Sequence, residues 1–321
     1  MTDETRPSAI EAIGQTPLIE LNRFVRRANL DGRILAKLEF YAPGASKKDR
    51  IARQIIEDAE DAGELQPGQT VVELTSGNTG TGLAIVCAIK GHPFVAVMSR
   101  GNSEERARMM RALGAEVVLV DQAPGSCHGH VSGEDLQRVE DEAHRLVNER
   151  QAFRADQFHH RGNFRAHYLH TGPEIWHQSG GAITAFCDFA GTGGTLAGCA
   201  AALKERNASI QCYAVEPEGA AVLQGHPVSN ASHRIQGGGY AMTDLPLLEC
   251  TRVDGYLTVT DDEATEAARR LAREEGIFAG YSAGANVAAA AQLLRGPCRG
   301  GTIAVLMGDS GLKYMSTDLW P

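Results

Sequence analysis

The chain has 321 residues, of which 43% are hydrophobic and 22% charged, and its net charge is −9. This length suits two domains or one large α/β domain, and the absence of a basic block argues against a nucleic-acid partner. No apolar run reaches membrane-spanning length, and the polar, acidic start does not resemble a signal peptide. Seven widely spaced cysteines without a C-x-x-C pair indicate reduced thiols, so we expect a cytoplasmic protein.

Apolar runs typical of buried strands alternate with helical patterns along the chain. Helices are predicted at 51–62, ending at Gly63, and at 261–275, where Thr260 and Glu263 form a capping box. The predicted strands are 70–74, 93–99, 116–120, 182–189, 210–217 and 302–307. This alternation predicts an α/β fold with a mainly parallel, doubly wound sheet. We expect a domain boundary near residue 150, which divides the chain into 1–150 and 151–321.

The stretch "YAPGASKKDRIA" places Lys47 and Lys48 between a Pro-Gly turn and a predicted helix. A solvated surface turn is one interpretation of this pair. The alternative is a reactive amine, because a helix start and a neighbouring cation both favour the neutral form of Lys48. A neutral lysine can form a Schiff base with an aldehyde.

Two glycine-containing loops follow predicted strands and open helices. "TSGNTG" at 75–80 offers hydroxyls and backbone N–H groups to a carboxylate, although on its own this loop is better explained as a capped helix start with a tight turn. "GTGGT" at 191–195 suits a phosphate, but Leu196 breaks the dinucleotide fingerprint and no Walker lysine follows. A phosphate loop, a carboxylate loop and a Schiff-base lysine together are what pyridoxal 5'-phosphate and an amino acid require.

"GYSAG" at 280–284 matches the nucleophile elbow of α/β-hydrolases. That fold needs a histidine after the serine, whereas the last histidine here, His233, precedes Ser282. The motif therefore does not predict a hydrolase.

The chain resembles the cysteine synthase (O-acetylserine sulfhydrylase) and cystathionine β-synthase family of fold-type II pyridoxal-phosphate enzymes. The motifs that carry this resemblance stand in family order over nearly the whole chain, and they include "IGQTPLIEL", "GASKKDRIA", "ELTSGNTG", "GTGGTLAG", "GYSAGANVAAA" and "DSGLKYMSTDLW". The resemblance implies two doubly wound, mainly parallel sheet domains of the tryptophan synthase β type. It also implies a homodimer, and a mobile part at roughly 95–131.

The resemblance further implies a role for each matching residue. Lys48 is the expected Schiff-base and catalytic lysine, and Ser282 is expected to face the pyridine nitrogen. Asn78 is expected to contact the ring hydroxyl of the cofactor. The substrate carboxylate is expected to be bound by Thr75, Ser76, Thr79 and Gln157. The cofactor phosphate is expected to be bound by Gly191, Thr192, Gly193, Gly194 and Thr195. No metal is expected.

The implied activity is β-replacement on an activated L-serine through an aminoacrylate, with sulfide as the default nucleophile giving L-cysteine. Alternatives within the class are condensation of serine with homocysteine, or synthesis of another β-substituted alanine. A non-catalytic cofactor-binding partner protein is the alternative from a different class. A hydride-transferring oxidoreductase is disfavoured because the phosphate loop fails that fingerprint.

Several positions depart from the family pattern. Lys47 replaces a small apolar residue, and we expect a solvent-facing charge there rather than a second cation acting on Lys48. "MGDSG" at 307–311 replaces an apolar-Pro start. Tyr240 and Met242 either shape a second-substrate pocket or serve packing. The loop histidines at 159 and 160 favour solvent exposure or packing over contact with a second substrate. Cys127, His128 and His130 favour a flexible loop over a metal site.

Overall fold

The structure is a computed structural model that describes residues 5–124, 133–231 and 233–321. Within these ranges the strands are β1 (Leu18–Glu20), β2 (Arg33–Leu38), β3 (Val71–Leu74), β4 (Phe94–Ser99), β5 (Glu116–Val120), β6 (Phe153–Arg154), β7 (Ala185–Phe189), β8 (Gln211–Pro217), β9 (Gly255–Val259) and β10 (Thr302–Met307). The α-helices are α1 (Asn22–Arg27), α2 (Lys48–Ala62), α3 (Asn78–Lys90), α4 (Glu104–Ala112), α5 (Gly133–Arg150), α6 (Gly162–Ala166), α7 (Gly172–Gln178), α8 (Gly194–Arg206), α9 (Asp261–Arg270) and α10 (Tyr281–Arg295). None of the helices in the described ranges is long and apolar enough to cross a membrane.

The chain divides into two compact units, and the first contains Met1–Ile13 and Lys48–Asn163. Its sheet has four parallel strands in the order β5-β4-β3-β6. Successive residues of the central strands alternate between two buried clusters: Val71 belongs to one cluster, and Val72 belongs to the other. The sheet is therefore covered on both faces, as a parallel sheet should be.

The second unit contains Gly14–Lys47 and Phe164–Pro321. Its six strands run in the order β1-β2-β10-β7-β8-β9, and all neighbours are parallel except β1 and β2. Both faces are again buried, because Val305 packs in one cluster and Leu306 in another. The expected α/β fold with mainly parallel sheets is confirmed.

The six strands predicted from apolar runs are all present, and four of them start later than predicted. The largest shift is in β7, which begins at Ala185 rather than at residue 182. The capping box of Thr260 and Glu263 is present, and α9 continues as a π-helical turn over Leu271–Glu275 before the left-handed Gly276. In the structure α2 begins at Lys48, three residues before the predicted start.

The compact units differ from the expected division at residue 150. Strand β6 lies beyond that residue but pairs with β3, so the chain up to Asn163 stays with the first unit. Residues 14–47 join the second unit because β2 pairs with β10. The chain therefore passes between the two units more than once, which a single boundary did not anticipate.

Candidate active site

Lys48 is the first residue of α2 and lies in the first unit. Helix α2 approaches α3 closely at this point: a Cβ atom at Gly82 would lie only 3.1 Å from the backbone oxygen of Lys48. A glycine at position 82 therefore permits the two helix starts to pack together. The side chain of Lys48 is half-buried.

The loop between β3 and α3 is organised by the hydroxyl of Thr75. Its Oγ1 accepts hydrogen bonds from the backbone N–H groups of Gly77, at 3.1 Å, and Gly80, at 2.9 Å. Gly77 has a φ of 150°, which an L side chain rarely adopts, and a Cβ atom there would lie 2.8 Å from Cδ of Arg106. This turn leads directly into the start of α3. The first backbone N–H groups of a helix are suited to binding an anion.

Gln157 comes from a distant part of the sequence to join this loop. The hydroxyl of Thr79 donates to its Oε1 at 2.6 Å. Its amide Nε2 lies 3.2 Å from both Oε1 of Glu73 and the carbonyl oxygen of Leu74. Three of the four residues predicted for a carboxylate site, Thr75, Thr79 and Gln157, are thus buried at the end of β3.

The remaining two predicted residues of this loop are more open. Ser76 is exposed, and its carbonyl oxygen accepts a hydrogen bond of 2.9 Å from Arg106. Asn78 is half-buried as the first residue of α3.

The glycine loop 191–195 lies in the second unit, between β7 and α8. Gly193 caps α8 with a left-handed backbone, φ 83° and ψ −25°. A Cβ atom at Gly191 would lie 2.8 Å from the carbonyl oxygen of Gly237, so the backbone of the "QGGGY" segment packs directly on this loop. Thr192 and Thr195 are buried, and Oγ1 of Thr195 lies 3.2 Å from Nε2 of His167.

Ser282 lies in the first turn of α10, after the extended Gly280. The N–H of Gly280 donates to the carbonyl oxygen of Asp309, at 3.2 Å. A Cβ atom at Gly308 would lie 3.2 Å from Oγ of Ser282. The side chain of Ser282 is thus held beside the segment that follows β10, with room left by the glycine at 308.

The expectation of a solvent-facing Lys47 is wrong. Its Nζ lies 2.8 Å from Oδ2 of Asp188, and the side chains are exposed by only 14% and 2%. Asp188 sits inside the apolar strand β7, so its carboxylate needs a partner in order to be buried. Lys47 therefore turns inward, although it neighbours Lys48 in the chain.

The histidine pair makes local contacts. The ring of His159 lies 2.9 Å from Oδ1 of Asp156, and His160 accepts from the N–H of Gly162. Tyr240 and Met242 are exposed by 39% and 40%. Cys127, His128 and His130 lie outside the described residues.

Comparison with known proteins identifies the family. A family model described as pyridoxal-phosphate dependent enzyme matches residues 10–309. The chain belongs to this family. A cysteine synthase from Staphylococcus aureus is 40% identical over 312 residues, which are 97% of this chain and 96% of the relative.

Two solved structures of similar proteins extend the comparison. The O-acetylserine sulfhydrylase isoform 3 of Entamoeba histolytica has a TM-score of 0.90 and 33% identity, covering all of this chain and 93% of the other. An O-ureido-L-serine synthase has a TM-score of 0.87 and 36% identity, covering 98% of this chain and 95% of the other. This pyridoxal-phosphate dependent enzyme therefore shares its fold with both of these solved structures.

The residues of the glycine loop fit the phosphate of the cofactor. Gly191 packs so closely on the carbonyl oxygen of Gly237 that a Cβ atom would not fit, and the left-handed Gly193 caps the start of a 13-residue helix. Backbone N–H groups at a helix start, joined by threonine hydroxyls, form a donor set for an anion. The loop 191–195 of this pyridoxal-phosphate dependent enzyme therefore has the kind of hydrogen-bond donors that a phosphate group requires.

Sequence reasoning missed two buried carboxylates of this enzyme. Burial raises the pKa of Glu73 to about 7, and its Oε2 lies 3.5 Å from Nε of Arg154. Asp188 is the second. Each is a charged residue inside a continuous apolar strand pattern, and that mismatch was the signal that could have identified both.

Proposed function

We propose that this enzyme catalyses β-replacement on an activated L-serine such as O-acetylserine, with sulfide as the nucleophile and L-cysteine as the product. The observation that carries the proposal is the cluster of Thr75, Thr79 and Gln157 at the start of α3. Its hydroxyl, amide and backbone N–H groups suit an α-carboxylate, the group that every amino-acid substrate presents.

Lys48 is proposed to carry the cofactor and to move the α-proton. When bound, pyridoxal phosphate supplies an aldehyde for amino groups and a ring that withdraws electrons from the α-carbon. Lys48 holds this group through Nζ until the amino group of the substrate replaces it. The released amine would then take the α-proton, and the leaving group would depart from the β-carbon with its bonding electrons. The nucleophile would form the new bond at the β-carbon, and the protonated Lys48 would return its proton to the α-carbon.

Ser282 is proposed to face the pyridine nitrogen. A hydroxyl can donate a hydrogen bond to that nitrogen, but it cannot stabilise a protonated ring as a carboxylate would. Ser282 therefore favours elimination of a β-substituent over formation of a long-lived carbanion at the α-carbon. Asn78 is proposed for the ring hydroxyl and residues 191–195 for the phosphate.

Synthesis of another β-substituted alanine is the second candidate. It is favoured by the similarity to an O-ureido-L-serine synthase, whose product carries an oxygen substituent on the β-carbon. We also propose a cytoplasmic homodimer, by analogy with the family.

Substitution of Lys48 tests the proposal. Lys48→Ala is expected to abolish turnover and to remove the visible absorbance of the covalently held cofactor, because no amine remains at that position. Lys90→Ala is the control, since Lys90 pairs with Glu60 at the far end of α3. A Lys48→Ala enzyme that keeps both the absorbance and the turnover would contradict the assignment.

A further inference from the structure

A buried polar network surrounds Asp188 in the second unit. Lys47 bonds one carboxylate oxygen of Asp188, and Nδ2 of Asn286 donates to the other, at 3.0 Å. Asp188 is 1% exposed and Asn286 also 1%. The charge pair is therefore largely removed from water. Charge–charge interactions are stronger in the protein interior than in water.

The network joins α10, which contains Ser282, to β7, which leads into the glycine loop, and to β10. Asn286, on α10, accepts from the N–H of Phe189 at 2.7 Å and donates to the carbonyl oxygen of Leu306 at 2.9 Å. It therefore ties α10, which begins beside Ser282, to the ends of β7 and β10. The glycine loop begins two residues after Phe189.

The backbone of Lys47 is held as firmly as its side chain. Its N–H donates to the carbonyl oxygen of Gly308 at 2.8 Å, and Ser46 forms an antiparallel bridge with Asp309. The N–H of Ser310 donates to the carbonyl oxygen of Ala45 at 3.2 Å. Residues 45–47, which lead directly into Lys48 in the chain, are thus anchored to the segment that follows β10.

Gly308 brings Lys47 beside Ser282. A Cβ atom at this glycine would lie 3.2 Å from Oγ of Ser282 and 3.7 Å from Cε of Lys47. The serine hydroxyl and the lysine stem therefore border the same small space. The two departures from the family pattern, at 47 and at 307–311, meet at this point.

We propose that Lys47 and Asp188 are positioning residues whose balanced charges set the electrostatic environment of the cofactor at Ser282. This inference rests on the proposed roles of Lys48 and Ser282. Neither residue of the pair reacts; each cancels the field of the other beside the hydroxyl that faces the ring nitrogen. The pair allows a charge at position 47 without leaving a single uncompensated ion in the interior.

Removing either partner leaves the charge of the other. Lys47→Met leaves a carboxylate that stabilises the protonated form of the bound cofactor, so the midpoint of its absorbance titration moves to higher pH. Asp188→Asn leaves an ammonium that disfavours that form, so the midpoint moves to lower pH. A purely structural role would not give shifts of opposite sign.

Three other titratable groups near the pair are a carboxylate, a thiol and the amine of Lys48. Asp309 follows β10 and accepts a hydrogen bond of 2.7 Å from the hydroxyl of Tyr314. Cys187 precedes Asp188 on β7, and burial raises the pKa of its thiol well above the ordinary value. Lys48 follows Lys47. All three are unchanged in the variants, so they contribute equally to each titration.

The test is a pH titration of the visible absorbance of the holoenzyme. Lys47→Met and Asp188→Asn are expected to shift the midpoint in opposite directions by about half a pH unit or more. The double variant, with both changes, is expected to return toward the wild type, and Lys47→Arg to stay near it. Two single-variant shifts of the same sign, or no shift, would overturn the proposal.

A matched ion pair elsewhere in the same unit provides the control. Lys204 and Asp254 are each 19% exposed, and Lys204 lies near the end of α8 remote from the glycine loop. Lys204→Met and Asp254→Asn, made as separate single variants, are each expected to leave the midpoint unchanged, and a comparable shift in either would overturn the proposal. A wild-type protein that binds no cofactor would instead contradict the proposed function.

Discussion

Glu73 shows how the carboxylate loop is held at the scale of single residues. Its carboxyl group is fully buried at the end of β3, where it accepts from the amide of Gln157. Burial outweighs the nearby Arg154 and raises the pKa to about 7 from 4.5, a shift that corresponds to roughly 3 kcal/mol. Glu73, which contacts the amide of Gln157, therefore lowers the free energy of unfolding at high pH.

Glu73→Gln is expected to weaken the pH dependence of stability. Between pH 4.5 and about 7 the folded protein holds a proton that the unfolded chain has released, so the free energy of unfolding falls as pH rises. The variant cannot release this proton and is expected to lose less stability over the same window. Denaturant unfolding at pH 5 and pH 8 measures the difference.

An equal loss of stability in both proteins between these pH values would contradict the raised pKa of Glu73. Glu60→Gln is a suitable comparison, because pairing with Lys90 and His92 lowers the pKa of Glu60. From pH 5 to pH 8 this carboxyl is ionised in both the folded and the unfolded chain, so that change is expected to leave the pH dependence over this window unaltered.

Gln157→Ala is expected to weaken binding of the amino-acid donor while the cofactor remains. The change removes the partner of the Thr79 hydroxyl and a donor near the proposed carboxylate. Loss of hydrogen bonds to a charged group costs about 1.5–3 kcal/mol, which corresponds to a rise in KM of roughly 10- to 100-fold. Steady-state kinetics with varied donor concentration measures it.

The exposed Gln137, on α5, serves as the control for this experiment. Gln137→Ala is expected to keep the wild-type KM. An unchanged KM in Gln157→Ala would remove Gln157 from the proposed carboxylate site.

Helices α9 and α10 show how small residues determine packing at the scale of elements. A Cβ atom at Gly284 would lie 2.0 Å from the backbone oxygen of Ala264, and backbone cannot move aside as a flexible side chain can. The close approach of the two helices therefore depends on this glycine, which lies half a turn after Ser282.

Gly284→Ala is expected to destabilise the protein by about 1–3 kcal/mol, because the added methyl group must push α9 and α10 apart. Gly296→Ala is the control at the end of the same helix, where a Cβ atom would find its nearest contact at 3.4 Å. Urea unfolding of both variants measures the cost. A Gly284→Ala protein as stable as the control would contradict the close-packed interface.

Apolar patterning predicted the strands that are buried on both faces, but it missed β2. That strand contains Lys37, which is fully buried and forms an ion pair of 2.6 Å with Glu174. The partner is 137 positions away, so no local pattern reveals that the lysine is compensated. The inward orientation of Lys47 was missed for the same reason, because Asp188 is equally remote in sequence.

At the scale of the whole molecule, the proposed site residues are divided between the two units. Lys48, Asn78 and Gln157 belong to one unit, and Ser282 and the glycine loop belong to the other. The family resemblance pointed to these motifs, and two of them, at 75–80 and 191–195, also stand directly after predicted strands. Sequence order alone could not predict that residues 14–47 join the second unit, because that depends on the pairing of β2 with β10.

The most direct test of the central claim is an absorbance titration of the purified holoenzyme with donor and then acceptor. O-acetylserine alone is expected to shift the visible band of the cofactor, and sulfide is expected to restore the original band as cysteine is released. O-phosphoserine, serine, homocysteine and small amines are added in parallel to identify the preferred pair. A cofactor band that responds to none of the donors, or that shifts without returning with any acceptor, would contradict β-replacement as the function.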